Sequence, residues 1–277
     1  MRAALLQLTS SDDPGKNLRV VSEMLRHAKS EGAGFVLTPE VTNCVSQSRK
    51  RQEAVLQTEA DDIVLAGLRD DAARLGIWVL AGSLALLADP PETRFVNRSF
   101  LIGPDGEIAA RYDKMHMFDV SVSEAETYRE SAGYAPGSQA VIADTPFGRI
   151  GMTVCYDVRF PYLYRALAQA GAEIMTVPSA FSPATGPMHW EPLLRARAIE
   201  TGSYVLAPAQ TGQHPAVMGK SRTTYGHSLA VSPWGEVLCD GGRGWGTSFF
   251  DIDTSKVAEA RRKIPSLTHD RTFDGPA

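Results

Sequence analysis

Strand-length apolar runs alternate with helix-period segments along this chain, and that alternation confines it to the α/β class. Ala3–Leu8 reads as a strand. Asp13-Pro14 then supplies an N-cap and a proline at the first helical position, Leu18, Val21, Leu25 and Ala28 follow at helical spacing, and Gly32 ends the helix. Phe35–Thr38 is a strand stopped by Pro39. Residues 61–75 form a helix with Val64, Leu68, Ala72 and Leu75 on one face. Ile77–Ala81 and Phe95–Ile102 are strands, the second closed by the turn Gly103-Pro104-Asp105-Gly106.

The alternation resumes with a strand at Arg149–Cys155, a helix at Pro161–Ala170, a strand at Glu173–Val177 and a helix at Trp190–Glu200. Strands at Tyr204–Ala207, Ser228–Val231 and Thr247–Phe250 follow. This order fits a helix–sheet–sheet–helix layering and an ordinary doubly wound sheet alike. The stretch from Met115 to Gly137 is polar and aperiodic, and a loop of that length inside a compact domain is usually functional. No repeat, low-complexity tract or linker stands out. The chain therefore reads as one domain over residues 1–277, with 254–277 as a C-terminal helix and tail.

Hydrophobic residues make up 43 % of the chain and charged residues 22 %, a balance that argues for a folded globular protein. The formal net charge of −4 offers no basic face for displacing counterions, so no nucleic-acid partner is expected. No apolar run approaches the roughly 18 residues a membrane span needs, and the first one is too short for a secretory segment. Cys44, Cys155 and Cys239 are too scattered for a disulfide framework or a zinc site. Reduced thiols in a cytoplasm, with no metal and no cofactor, are the expectation.

Three positions carry candidate chemistry. Cys155 ends the apolar run Arg149-Ile150-Gly151-Met152-Thr153-Val154, just before a proline-started helix. The end of a strand facing a helix is where α/β proteins place reactive groups, although an arbitrary cysteine is more often buried and inert. Glu40 stands at the end of the strand Phe35–Thr38, where a solvated loop glutamate is the plainer reading. Lys114 lies among aromatic residues and methionines in Tyr112-Asp113-Lys114-Met115-His116-Met117-Phe118-Asp119. A nucleophilic thiol needs a base and a cation to hold it as thiolate, and these two residues are of the required types.

Pro39-Glu40, Tyr112–Asp119 and Gly151-Met152-Thr153-Val154-Cys155-Tyr156-Asp157-Val158-Arg159-Phe160-Pro161 together resemble the three catalytic blocks of the nitrilase superfamily. The likeness continues through Pro178-Ser179-Ala180-Phe181, Leu194–Glu200, Tyr225-Gly226-His227-Ser228 and Ser232-Pro233-Trp234-Gly235, and so spans roughly Met1 to Asp253. The resemblance implies an αββα sandwich, a Glu40–Lys114–Cys155 triad, and a second glutamate, Glu130, beside the lysine. It also implies a homodimer or higher homo-oligomer joined through the helices at 161–170 and 190–200.

The implied reaction is hydrolysis of an amide C–N bond in a small carboxylate-bearing molecule, releasing ammonia through a Cys155 thioester. Lys114 and the Tyr156 N–H would bind the oxyanion. Arg159 reads as a fork for a substrate carboxylate, or equally as a structural ion pair, for instance to Asp157. Phe181 and Thr185 would line the pocket by the same resemblance; otherwise Phe181 is core and Thr185 a helix-entry residue. The flanking blocks are most similar to enzymes acting on deaminated glutathione, ahead of ω-amidases acting on α-ketoglutaramate. Gln213–Lys220 departs from both groups. Two readings from other classes remain. One is a serine hydrolase using Ser228, since Gly226-His227-Ser228 resembles a nucleophile elbow and Asp251 and His269 follow, yet polar residues precede it and a strand follows. The other is a non-catalytic binding protein, against which the intact triad speaks.

Overall fold

The computed structural model describes residues 1–123 and 126–276. In the N-terminal part, β1 (Arg2–Gln7) leads to α1 (Pro14–Ser30), β2 (Phe35–Leu37), α2 (Arg49–Val55), α3 (Ile63–Leu75), β3 (Trp78–Leu87), β4 (Phe95–Ile102) and β5 (Ile108–Asp113). A hairpin of β6 (Asp119–Ser123) and β7 (Glu126–Arg129) stands apart from the main sheets. Then come β8 (Val141–Thr145), β9 (Gly148–Met152), α4 (Pro161–Gln169), β10 (Ile174–Thr176), α5 (Gly186–Thr201) and β11 (Tyr204–Ala207). The ribbon β12 (Thr211–Gln213) and β13 (Thr223–Tyr225) precedes β14 (Leu229–Val231), β15 (Val237–Asp240), β16 (Gly246–Asp251) and α6 (Ser255–Lys263).

Two six-stranded sheets result, ordered β16-β1-β2-β3-β4-β5 and β15-β14-β11-β10-β9-β8. Each has a parallel core of three strands, β1-β2-β3 in one and β9-β10-β11 in the other. One antiparallel strand flanks each core on one side, β16 or β8, and two flank it on the other, β4-β5 or β14-β15. The two halves thus repeat one topology although no repeat is visible in the sequence.

Strand alternation explains the layers. In the first sheet Ala3, Leu5, Phe35, Leu37, Leu80 and Leu101 point into the core shared with the second sheet. Ala4, Leu6, Val36, Val79, Phe100 and Ile102 point the other way, onto Val21, Leu25, Val64, Leu68 and Ala72 of α1 and α3. A strand buried on both faces needs a continuous apolar run, which is what these segments show. Helices α4 and α5 pack on the second sheet through Leu163, Leu167, Trp190, Leu194 and Ala198. The αββα expectation is borne out, and the doubly wound alternative is set aside.

Helix ends follow the sequence signals. Asp13 caps α1 through the Lys16 N–H at 3.0 Å. Asp62 caps α3 through the Leu65 N–H at 2.8 Å, and Gly76 ends that helix with φ of 60°.

Several segments differ from expectation. Part of 115–137 forms the β6–β7 hairpin instead of an unstructured loop. Strand β3 runs past Gly82 to Leu87, because a register shift between Ala81 and Leu84 lets it bend and continue. Strand β9 stops at Met152, and Cys155 opens a 3-10 turn, Cys155–Arg159.

Candidate active site

Three chain reversals, each at the end of a strand, converge on one cavity of about 590 Å³. Glu40, Asn97, Lys114, Glu130, Cys155, Tyr156, Ala180, Phe181, Thr185 and Arg222 are among the residues that line it.

Glu40 follows β2 on a turn pressed against Gly82. A Cβ at Gly82 would sit 1.8 Å from the Thr38 carbonyl oxygen and 2.5 Å from Pro178 Cβ, so only glycine permits this approach. Val41, the next residue, has φ of 48°, a conformation that a β-branched side chain rarely adopts. The Ser83 hydroxyl receives its N–H at 2.9 Å and so stabilises the strained turn. Cys155 has φ of 49°. Its N–H is held by the Pro178 carbonyl at 3.0 Å. Strain of this kind costs on the order of 1–3 kcal/mol per residue and concentrates where geometry serves function.

The turn after Cys155 is built around Asp157, which is fully buried. Its carboxylate accepts from the Tyr112 hydroxyl at 2.7 Å, the Val154 N–H at 2.8 Å and the His116 N–H at 3.1 Å. His116 Nδ1 also lies 2.6 Å away. One carboxylate therefore ties the end of β5, which carries Lys114, to the cysteine turn. With Asp157 so engaged, no ion pair joins it to Arg159.

Lys114 is 2 % exposed, which for an ammonium demands compensation. Its Nζ donates to Glu40 Oε1 at 2.9 Å and to Glu130 Oε1 and Oε2 at 2.9 and 2.8 Å. Glu130, on a short 3-10 turn after β7, also accepts from the Phe118 N–H at 2.6 Å. Glu40 is held further by the Asn97 side-chain amide at 2.9 Å and the Ala180 N–H at 2.8 Å, and it shares the cavity with Cys155.

These contacts set the protonation states. Burial alone would raise the Glu40 pKa, but the adjacent Lys114 ammonium and its hydrogen bond override it, and the carboxyl is held below its ordinary value. Burial pulls Lys114 down, while Glu130 and Glu40 pull it well above the lysine range, so it stays charged. The Cys155 thiol is pushed up, first by burial and then by the negative charge of Glu40, with Lys114 opposing. Both shifts favour a neutral Cys155 thiol beside an ionised Glu40 carboxylate. Cys44 also lines the cavity, but burial and Asp12 push its pKa up to about 12.

The substrate-side expectations divide. Phe181 and Thr185 line the cavity; Phe181 packs on Trp190, and Thr185 enters α5 without a capping hydrogen bond from its side chain. Arg159 lies outside the lining, against the rings of Tyr156 and Phe181 at 5.9 and 5.6 Å, with Nη2 3.2 Å from His189 Nδ1. Sequence reasoning missed Asn97, Ala180 and Arg222, whose signals are tertiary. Ser228 is fully buried, and its hydroxyl accepts from the Ala209 N–H at 2.9 Å, so a serine-nucleophile route has no accessible oxygen there. Among the described residues no cluster of His, Cys, Asp and Glu could hold a metal ion, and no helix is long and apolar enough to cross a membrane.

Residues 2–262 match the family model described as carbon-nitrogen hydrolase. A Yersinia enterocolitica protein named deaminated glutathione amidase is 40 % identical over 276 residues, 97 % of this chain and 92 % of that protein. The Caenorhabditis elegans NitFhit structure superposes with a TM-score of 0.88 at 35 % identity, covering 98 % of this chain and 65 % of that one. Saccharomyces cerevisiae Nit3, described as a member of branch 10 of the nitrilase superfamily, gives a TM-score of 0.85 at 28 % identity over 99 % and 97 % of the two chains. With its fold, its cavity and these relatives in agreement, the chain belongs to the carbon-nitrogen hydrolase family of the nitrilase superfamily and is an amidase.

Proposed function

We propose that Glu40, Lys114 and Cys155 form the catalytic triad of this amidase, with Glu130 in support. The observation that carries this reading is the convergence of the three side chains in one cavity: Glu40, Lys114 and Cys155 all line it, and the Lys114 ammonium donates to Glu40 at 2.9 Å. As Cys155 Sγ bonds to the amide carbon, its proton passes to Glu40. The oxygen then becomes an anion between Lys114 and the Tyr156 N–H, and one such donor contributes about 3 kcal/mol. Collapse breaks the C–N bond, with Glu40 returning the proton to the departing nitrogen. Water, deprotonated by Glu40, hydrolyses the thioester; the acid leaves and the thiol is restored. Glu130 keeps Lys114 charged and aimed.

The substrate we propose is deaminated glutathione, the compound in the Yersinia relative's name. A cavity of about 590 Å³ suits drug-sized ligands, which favours this molecule over the smaller α-ketoglutaramate. The two differ in product. Deaminated glutathione carries only secondary amides and so releases an amine, which replaces the ammonia expected from the sequence, whereas α-ketoglutaramate is a primary amide and releases ammonia. A panel of deaminated glutathione, α-ketoglutaramate, N-carbamoyl compounds and simple nitriles, assayed for both products, tests the assignment. We expect kcat/KM to be highest for deaminated glutathione; a higher value for α-ketoglutaramate makes the protein an ω-amidase.

We further propose one hydrolase unit working as a cytoplasmic homodimer. Tyr162, Met188 and Ile199, on α4 and α5, are 65 %, 75 % and 55 % exposed, which supports pairing through those helices. Sedimentation at micromolar concentration should give twice the chain mass, and a monomer would refute it; cell fractionation checks the compartment.

A further inference from the structure

We propose that Arg222 is the carboxylate receptor of the cavity, selecting amides that also carry a carboxylate. This rests on the amidase reading above and assigns the charge recognition to a residue outside the catalytic blocks.

The cations around the cavity differ in how far they are satisfied. Lys114 is enclosed by two carboxylates. Arg49 pairs with Glu53, donates to the Gly133 and Thr93 carbonyls, and lies 3.8 Å from the Phe95 ring centroid. Arg129 is exposed and bonds the Tyr128 carbonyl. Arg222 is half-buried and lines the cavity. Its hydrogen bond runs from Nη2 to the Ala180 carbonyl at 2.7 Å, its guanidinium lies 6.0 Å from the Tyr128 ring centroid, and among the described residues it has no carboxylate partner. A guanidinium has five donors in a planar fork suited to a carboxylate. The charge of Glu40 reaches Arg222 through space, and Arg222 lowers the Glu40 pKa in turn, but among the described residues no carboxylate oxygen bonds its fork. A half-buried guanidinium with free donors is a cost the fold carries unless a ligand completes it.

Position and charge both suit that role. The Ala180 N–H binds Glu40 while the Ala180 carbonyl binds Arg222, so one peptide residue links the base to the guanidinium. That chain of contacts keeps the Arg222 donor within about 9 Å of the Glu40 carboxylate. In an extended five-carbon monoamide the carboxylate lies roughly 5 Å from the amide carbon, so one molecule can reach both. Glu40 and Glu130 would repel an anionic substrate; Lys114 offsets one of those charges, and Arg222 is placed to offset the other. The backbone is fixed by the pairing of β13 with β12 and by the His214 N–H bonding the Arg222 carbonyl at 2.8 Å. Arg159, by contrast, lies outside the lining, against the rings of Tyr156 and Phe181.

The test compares Arg222→Gln, Arg222→Lys and Arg159→Gln on three amides: glutaramate, charged on the acyl side; N-butyrylglycine, charged on the amine side; and neutral butyramide. For Arg222→Gln we expect the preference for a charged amide over butyramide, as a ratio of kcat/KM, to fall at least tenfold, with Arg222→Lys recovering part of it. The arm that responds locates the carboxylate. No fall in either arm, or a fall confined to Arg159→Gln, overturns the proposal. Calorimetric binding of glutarate to Cys155→Ala separates this from failure of the amidase reading. If no amide turns over, Arg222→Gln in that background should still weaken glutarate at least tenfold, and equal binding by both proteins, or none by either, overturns the proposal.

Discussion

Cys155→Ala removes turnover of every amide, by at least about ten-thousandfold, while the protein still folds. The size follows from the mechanism: without sulfur no thioester forms, and what survives is the small residual catalysis of an oxyanion site and bound substrate. Folding should survive because the change deletes one buried atom that makes no covalent link, at a cost of about 1 kcal/mol. Cys155→Ser should be inactive too. A serine hydroxyl is far less acidic than a thiol, and Glu40, held below its ordinary pKa, is a weak base for it. Steady-state assay, a melting curve and intact-mass analysis of wild type with substrate check the three parts. The wild type should show an acyl adduct on Cys155, and neither variant should. A Cys155→Ala protein with wild-type turnover ends the covalent mechanism.

What the sequence made legible has a physical pattern. Strands buried on both faces, such as Ala3–Leu6 and Tyr204–Ala207, announce themselves because nearly every residue is apolar. Helix ends at Asp13-Pro14 and Gly76 announce themselves because few residue types fit there. Helix α2 was unreadable because in Arg49–Val55 only Gln52 is buried, so no apolar stripe exists. Strand β3 read short because Gly82-Ser83 looks like a stop; the glycine is there for the contact with Thr38 and Pro178. The residues of the proposed triad were singled out through three motif blocks, and the structure brings them to one cavity. Their supporting contacts were not, because each joins residues far apart in the chain: Asn97 to Glu40, Ala180 to Glu40, Arg222 to Ala180. Local patterning holds no signal for a hydrogen bond across 140 residues.

Lys114→Ala lowers kcat at least about a hundredfold, the scale of one lost oxyanion donor, and it also reverses how stability depends on pH. In the wild type Glu40 has a depressed pKa, so its contribution is complete above the unfolded glutamate value of about 4.3 and is lost as pH falls through the folded value. Removing the ammonium leaves Glu40 and Glu130 facing each other at a buried site. Burial and like charge then raise the glutamate pKa above the unfolded value. A raised pKa contributes stability below the unfolded value and loses it as pH climbs through the folded one. The variant should therefore be weakest at neutral pH, by roughly 3–5 kcal/mol for a broken buried pair, and should gain on acidification toward pH 5 while the wild type gains nothing. The acid limb of kcat/KM should move to higher pH for the same reason, since Glu40 must be ionised to take the thiol proton. Urea unfolding at pH 5 and 7, with a pH–rate profile, measures both effects. A variant within tenfold of wild-type kcat would mean that the oxyanion is held elsewhere, and one with wild-type stability at pH 7 would mean that the two carboxylates are not both charged around Lys114.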